Sequence, residues 1–177
     1  MFLNILNGPY LTTQQVDMAL LVSPSETTDV ERGHLLYIDD NGEWRIAGED
    51  QAGTATEPGR QLYLAFQPIG DHTAIMAGGY PVNDSVTPKI GALAATTHLN
   101  IETDMFDGEI ELNDALTVED GKFVLHTDGK TVYGYCTKAP YTRISNAGVR
   151  VNPVTNGSGN ITVIEVATAY APQVATA

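Results

Sequence analysis

Two Asp-Gly pairs interrupt short apolar runs in the segment 116–136, LTVEDGKFVLHTDGKTVYGYC. Asp-Gly supplies the positive φ angles of a tight primed turn, whose twist matches that of the strands on either side. Asp120-Gly121 and Asp128-Gly129 therefore predict a meander of three successive strands, over residues 116–118, 123–126 and 131–135. Parallel pairing would need a crossover of about a dozen residues, and the segment has no room for one. We predict a locally antiparallel sheet.

A second hairpin is predicted near the N-terminal third of the chain. Asn41-Gly42 lies between strand-like segments at 34–38 and 43–46, and Asn-Gly is a strong signal for a hairpin turn. Trp44, the single tryptophan, is expected to anchor this hairpin in the core or at an edge rather than to form a ligand platform.

The rest of the chain continues the pattern of short strands and turns. The segment 61–66 predicts a strand that ends at Pro68, and any strands within 69–91 are expected to be short or at an edge, because glycines and prolines recur there. Further strands are predicted at 101–105, 147–151 and 161–166, an exposed loop at 48–59 and a turn at 152–160. Many short strands with glycine-rich turns predict an all-β fold, an antiparallel β-sandwich or β-barrel.

The two ends of the chain differ from its strand-rich middle. Residues 12–15 fit a capping box and apolar residues follow at helical spacing, so a short helix of about ten residues is predicted within an N-terminal arm, 1–22. Whether this arm docks on a neighbouring molecule or forms the edge of the chain's own core stays open. The segment 167–177 is predicted to be a tail, because little in it could order it without a partner. A single β domain, 23–166, lies between arm and tail.

Charge narrows the classes of partner. The 177 residues include 22 acidic and nine basic side chains, a formal net charge of -13, which argues against nucleic acid and anionic membranes as partners. Residues 1–121 hold 20 of the acids and four bases, whereas 122–177 hold two acids and five bases. This asymmetry fits complementarity between copies of the chain or with a larger surface, and it fits solubility alone equally well.

The sequence also indicates the cellular compartment in which the protein is made. The single Cys136 cannot form an intrachain disulfide, and the N-terminus lacks the basic flank and apolar run of a signal peptide. The longest apolar stretches fall short of the roughly 20 residues that span a membrane. We expect a protein that is made in a cytoplasm and either kept there or released by lysis.

Patterns that would point to catalysis or to a cofactor are missing from the sequence. The four histidines are scattered, without the paired spacing of metal ligands, so we expect no metal site. Cys136 is expected to be an ordinary buried thiol. Gly129-Lys130-Thr131 copies the end of a P-loop, but Val124 stands where the first glycine would be.

The stretch 102–120 holds eight acids and no base. It does not fit an EF-hand, because Thr103 and Met105 would occupy the first and third ligand positions. We expect a solvated or partner-facing acidic edge, and an irregular calcium site stays open as the alternative.

The segment 92–151 combines several short motifs in a fixed order. They are an acidic strand followed by an aromatic residue at 101–107, an Asn-Asp-x-Leu-Thr entry at 113–117, the Asp-Gly-Lys turn at 120–122, a Gly-x-Cys strand at 134–136 and a basic, glycine-containing return at 140–151. A Gly-x-Leu…Asp-Asn-Gly-Glu-Trp hairpin precedes them at 33–44. Over about two thirds of its length the chain therefore resembles the capsid decoration proteins of tailed bacteriophages, also called cement or head-stabilising proteins.

The resemblance implies a structural protein on the outer surface of the virion, made in the host cytoplasm. Such a protein binds the expanded capsid, bridges subunits of the major capsid protein and self-associates, here as a homotrimer or dimer. It implies no enzymatic activity, no cofactor, and no direct contact with nucleic acid or membrane. The candidate interface residues, toward the capsid or a second copy, are Phe2, Leu3, Ile5, Leu6, Tyr10, Lys138, Arg143 and Arg150.

Two other classes of function compete with this expectation. A carbohydrate- or receptor-binding β module of a virion or fibre would need an exposed aromatic platform, for which Trp44, Tyr63 and Tyr80 are candidates. A small β-barrel hydrolase or isomerase would need a cluster of titratable groups in a pocket, and no spacing in the sequence predicts one.

Overall fold

A computed structural model describes residues 3–7, 18–69, 89–95, 99–144 and 160–171. This part of the chain contains eleven strands and one short 3-10 helix, Glu49–Ala52, and confirms the predicted all-β fold. The strands are β1 Leu3–Asn7, β2 Met18–Leu20, β3 Leu35–Ile38, β4 Trp44–Ile46, β5 Tyr63–Ile69, β6 Lys89–Ala94, β7 Asn100–Thr103, β8 Ala115–Glu119, β9 Lys122–Leu125, β10 Val132–Ile144 and β11 Asn160–Ala171.

The strands form two antiparallel sheets that pack as a sandwich. The first sheet has the order β1-β7-β11-β10-β8-β9 and the second β2-β6-β5-β3-β4. Successive side chains of a strand point to opposite faces. Leu35 and Leu64 therefore pack between the sheets, whereas their neighbours Leu36 and Ala65 face away from the first sheet. Both faces of the second sheet are buried.

The second sheet closes around its own core. Residues 21–23 continue from β2 along the free edge of β4, where the Trp44 amide donates to Leu21 O and the Ser23 amide donates to Trp44 O. The Trp44 side chain is fully buried in this core, and its indole nitrogen donates to Ile90 O at 2.8 Å. The predicted hairpin of β3 and β4 and the anchoring role of Trp44 are confirmed.

The first Asp-Gly pair forms the predicted tight turn. Asp120 and Gly121 have φ angles of 46° and 73°, and Glu119 of β8 pairs with Lys122 of β9 across the turn. The predicted meander is wrong at the next step, because β10 pairs with β8 rather than with β9. Leu116 consequently lies between Leu125 on one side and Gly134 on the other.

The connection between β9 and β10 is held by the segment 48–60 rather than by a hairpin ladder. The amide of Thr131 donates to Ala52 O, and the amide of Gly59 donates to Thr131 Oγ1 at 2.8 Å. These bonds place the start of β10 across β8 from β9. The segment 48–59, predicted as an exposed loop, therefore buries Ala52 and Gly59 while its tip stays exposed.

Two predictions about the middle of the chain are wrong. β5 passes through Pro68 to Ile69, because β3 pairs only with the beginning of β5 and the missing amide of Pro68 faces no second ladder. β6 begins at Lys89 within the segment expected to hold only short or edge strands, yet it is an interior strand between β2 and β5. Its Gly-Ala-Leu-Ala composition lacks the alternation that indicates a half-buried strand.

The ends of the chain also differ from their predictions. Met18–Leu20 lies in β2, paired with β6, so the predicted N-terminal helix is not shown; the proposed capping box at 12–15 lies outside the described residues. β11 continues to Ala171, five residues into the predicted tail, because Ala171 pairs with Val132 of β10. The predicted strand at 147–151 lies outside the described residues.

Candidate interaction surfaces

A groove of about 600 Å³ lies over the hairpin of β8 and β9. It takes contributions from the turn between these strands, from the loop after β7 and from the 3-10 helix. Five carboxylates and one cation line it: Glu49, Asp107, Glu109, Glu119, Asp120 and Lys122. All five acids are exposed. We call this surface the acidic groove.

Strand alternation explains the floor of the acidic groove. Leu116 and Val118 of β8 point into the core between the sheets, so Thr117 between them faces the opposite side, beside its cross-strand partner Val124. Thr117 is 3% exposed, and among the described residues its hydroxyl has no hydrogen-bond partner. The floor is therefore apolar apart from one unsatisfied hydroxyl.

The acidic loop is fixed against the outer edge of β9. The amide of Phe123 donates to Met105 O and the amide of Asp107 donates to Phe123 O, so residues 105–107 cover this edge. Gly108 then turns the chain at a φ of 81°, and its amide donates to the Asp107 carboxylate at 2.8 Å. These contacts hold Asp107 and Glu109 beside the strand hairpin.

The groove carries net negative charge. Glu49 forms an ion pair with Lys130 at 3.2 Å, which neutralises one of the five carboxylates. Four carboxylates and Lys122 remain on the lining, and like charges held on one surface create a field that attracts cations.

A second polar cluster lies on the hairpin of β10 and β11. Arg143 forms an ion pair with Glu102, Lys138 forms one with Glu165 at 3.1 Å, and the hydroxyl of Tyr141 lies within hydrogen-bond distance of both carboxylates. The Lys138 ammonium also lies 3.6 Å from the centre of the Tyr141 ring. Burial and the neighbouring Glu165 carboxylate raise the pKa of Tyr141 to about 12. The two cations and the two carboxylates of this cluster therefore neutralise each other within the chain.

The structure describes five of the eight candidate interface residues. Leu3 is 4% exposed and packs in the core between the sheets, so it is not available to a partner; the pairing of β1 with β7 buries it. Ile5 is half-buried against the same core, whereas Leu6 is 40% exposed. Lys138 and Arg143 pair with acids of their own chain, as described above. Phe2, Tyr10 and Arg150 lie outside the described residues.

The groove residues were not among the predicted interface residues. The acidic stretch 102–120 was the only signal of this groove in the sequence. It did not distinguish the acids that line the groove from those that are buried. Glu102, for example, is buried and paired with Arg143, whereas Asp107, Glu109 and Glu119 are exposed on the groove. Strand direction and burial make this distinction, and charge alone does not.

The described part of the chain lacks two features that mark other functional classes. No group of three or more metal-ligating side chains could hold a metal ion there, and none of its helices is long and apolar enough to cross a membrane. Cys136 is buried, as predicted, and burial raises the pKa of its thiol, which lowers the fraction of reactive thiolate. Trp44 is buried and Tyr63 packs against it with ring centroids 5.1 Å apart, so neither forms an exposed platform; Tyr80 lies outside the described residues.

Comparison with known proteins gives no relative: no protein-family model, curated protein or solved structure matches the chain.

Proposed function

We propose that the protein decorates the expanded capsid of a tailed bacteriophage and stabilises it by bridging subunits of the major capsid protein. The resemblance of the segment 92–151 to capsid decoration proteins motivates the proposal. One structural observation supports it further: most of the residues that line the acidic groove belong to the stretch 107–127 of that same segment, and they present four exposed carboxylates on one surface. The proposed site of action is the outer surface of the virion.

The proposed mechanism depends on selective binding rather than on chemistry. A ligand that binds one state of a lattice shifts the equilibrium toward that state by its differential affinity. Packaged DNA pushes the subunits of an expanded capsid apart, and a protein that contacts two neighbours opposes their separation. Many copies on one shell multiply a modest affinity.

The two-sheet sandwich suits this mechanical role. β10 and β11 form a long antiparallel hairpin that lies between β7 and β8, and hydrogen bonds continue through the first sheet from β1 to β9. A continuous ladder presents the acidic groove on a rigid support, so little conformational freedom is lost on binding.

Self-association as a homotrimer or dimer is part of the proposal. Several large apolar side chains are more than a third exposed, and such residues supply contact area at protein interfaces. In the described residues they are Leu6, Leu21, Leu112, Leu125, Tyr135 and Tyr170.

Co-sedimentation with shells of the cognate capsid tests the proposal. Purified protein is titrated onto expanded and unexpanded shells at several salt concentrations, and the bound fraction is measured in the pellet. We expect saturable binding to expanded shells only, with a stoichiometry that reports the local symmetry. Absence of binding at every salt concentration would refute the proposed function, and sugar binding on a glycan array would then be the next measurement.

A further inference from the structure

We propose that the acidic groove binds an extended segment of the capsid subunit in which lysine or arginine side chains flank an apolar residue. This inference rests on the proposed function, and it names the chemistry of the partner at one surface. It follows from the charge of the lining, from the composition of the floor and from the pairing of the chain's own cations.

The charge of the lining favours a cationic partner. Glu49 already has Lys130 as its partner, but Asp107, Glu109, Glu119 and Asp120 face the groove with only Lys122 among them. Bringing two or more cations into this field replaces repulsion between the carboxylates by attraction. An anionic or uncharged partner would leave that repulsion in place.

The floor favours a partner with both aliphatic surface and a polar backbone. Val124 lies beside Thr117 on the groove face and is half-buried, so part of its aliphatic surface is available for contact. Lysine and arginine cover such area with their methylene stems while the charged end stays at the rim. The hydroxyl of Thr117 has no partner among the described residues, and buried polar groups nearly always have one. A polar group that enters the groove with the partner would satisfy this hydroxyl.

A second copy of the chain is a poorer occupant, because the described cations are mostly committed. Six of the eight basic side chains in the described part have a partner within their own chain. Four pair with carboxylates and two lie over aromatic rings: Arg45 with Glu26, Lys130 with Glu49, Lys138 with Glu165, Arg143 with Glu102, Arg32 over Phe66 and Arg60 over Tyr37. Docking them in the groove of another copy would break these contacts.

A metal ion is also a poorer occupant. Within the described ranges, no three carboxylates converge closely enough to hold one. Carboxylates spaced along a rim suit several separate cations on a chain better than one small ion, which needs several ligands at one point.

Two variants and a matched control test the inference on expanded shells. Asp107→Asn/Glu119→Gln removes two charges from the groove, and Asp40→Asn/Glu57→Gln removes one exposed Asp and one exposed Glu outside its lining. We expect the groove variant to bind about tenfold more weakly than the wild type, with a shallower dependence on salt, and the control to change by less than about twofold.

The second groove variant, Thr117→Val, keeps the shape of the side chain and removes its hydroxyl. We expect affinity for shells to fall about fivefold while thermal stability is unchanged or slightly raised, because no native hydrogen bond is lost. Loss of affinity through misfolding would instead lower the melting temperature, so the two readouts separate a binding role from a structural one.

The outcomes distinguish this inference from the proposed function. If the wild type binds expanded shells and the groove variants bind equally well, the groove inference is wrong and the proposed function stands. If the wild type does not bind shells, both fail. Salt-sensitive self-association that is lost only in Asp107→Asn/Glu119→Gln, measured by sedimentation equilibrium, would make a second copy the occupant and overturn the proposal.

Discussion

His34 makes the stability of the fold dependent on pH in a predictable way. The side chain is 5% exposed, and its Nδ1 accepts the Glu31 amide at 2.9 Å, which requires the neutral ring. Burial lowers the pKa of His34 to about 4, and the nearby cation Lys122 acts in the same direction. The carboxylates of Glu26 and Asp104 act against it but do not reverse the shift.

The sign and size of the effect follow from proton linkage. At pH values above 6.5 the ring is neutral in both the native and the unfolded chain, and the native contacts contribute their full stability. As the pH falls from 6.5 toward 4, the unfolded chain takes up a proton that the native chain excludes, so stability is lost. With a native pKa of about 4, this loss amounts to about 2 kcal/mol at pH 5 and about 3 kcal/mol at pH 4.

Urea unfolding of the wild type and of His34→Asn measures this loss. The asparagine side chain has an oxygen that can accept a hydrogen bond from the Glu31 amide. Unlike the imidazole ring, this side chain cannot take up a proton. We expect the free energy of unfolding of the wild type, minus that of the variant, to decrease by about 2 kcal/mol between pH 7.5 and pH 5. Other groups cancel in this difference, including Glu31, whose pKa is raised by burial and which acts in the opposite direction. A difference that stays constant across this range would refute the reasoning.

Three further predictions concern single sites. Gly121→Ala should lower the free energy of unfolding by about 2–4 kcal/mol and Gly42→Ala by about 1 kcal/mol, as measured by chemical unfolding. Both glycines have a positive φ, but only at Gly121 would the new Cβ meet another side chain, the Ile46 methyl carbon at 2.7 Å. Equal losses of stability would contradict this reasoning. Arg143→Met should lower the free energy of unfolding by about 3 kcal/mol, because the buried Glu102 carboxylate loses its cation. Adding Glu102→Gln should recover most of this loss. A double variant that is no more stable than Arg143→Met would argue against the ion pair. The thiol of Cys136 should react with a disulfide reagent at least about 100-fold more slowly in the native protein than in urea, as measured by absorbance, and equal rates would show that it is accessible.

Local signals in the sequence predicted the fold class and two of the three hairpin turns. Asn41-Gly42 and Asp120-Gly121 form hairpins because their backbone angles are set by two or three residues, which is the range over which sequence patterns act. The position of β10 was not predictable in this way. It depends on hydrogen bonds between Thr131 and the segment 48–60, more than 70 residues away in the chain.

Interior strands and interface residues were harder to predict for related reasons. β6 is buried on both faces, so small apolar residues replace the alternation that reveals a half-buried strand. Leu3 looked like part of a docking arm because its neighbours in sequence are apolar, yet β7 pairs with it and covers it. The cations Lys138 and Arg143 were predicted to lie at an interface, but they pair with Glu165 and Glu102 of their own chain, because the adjacency of the strands decides which acids they meet.

The melting temperature of shells measures whether the protein stabilises the expanded capsid, as we propose. Expanded shells of the cognate capsid are heated in a scanning calorimeter with increasing concentrations of the protein. A ligand that binds only the intact expanded lattice stabilises it by about 2.7 kcal/mol per site at 100 times its dissociation constant, so the melting temperature should keep rising with the logarithm of the free protein concentration after the sites are filled. A melting temperature that does not change at saturating protein would contradict the account.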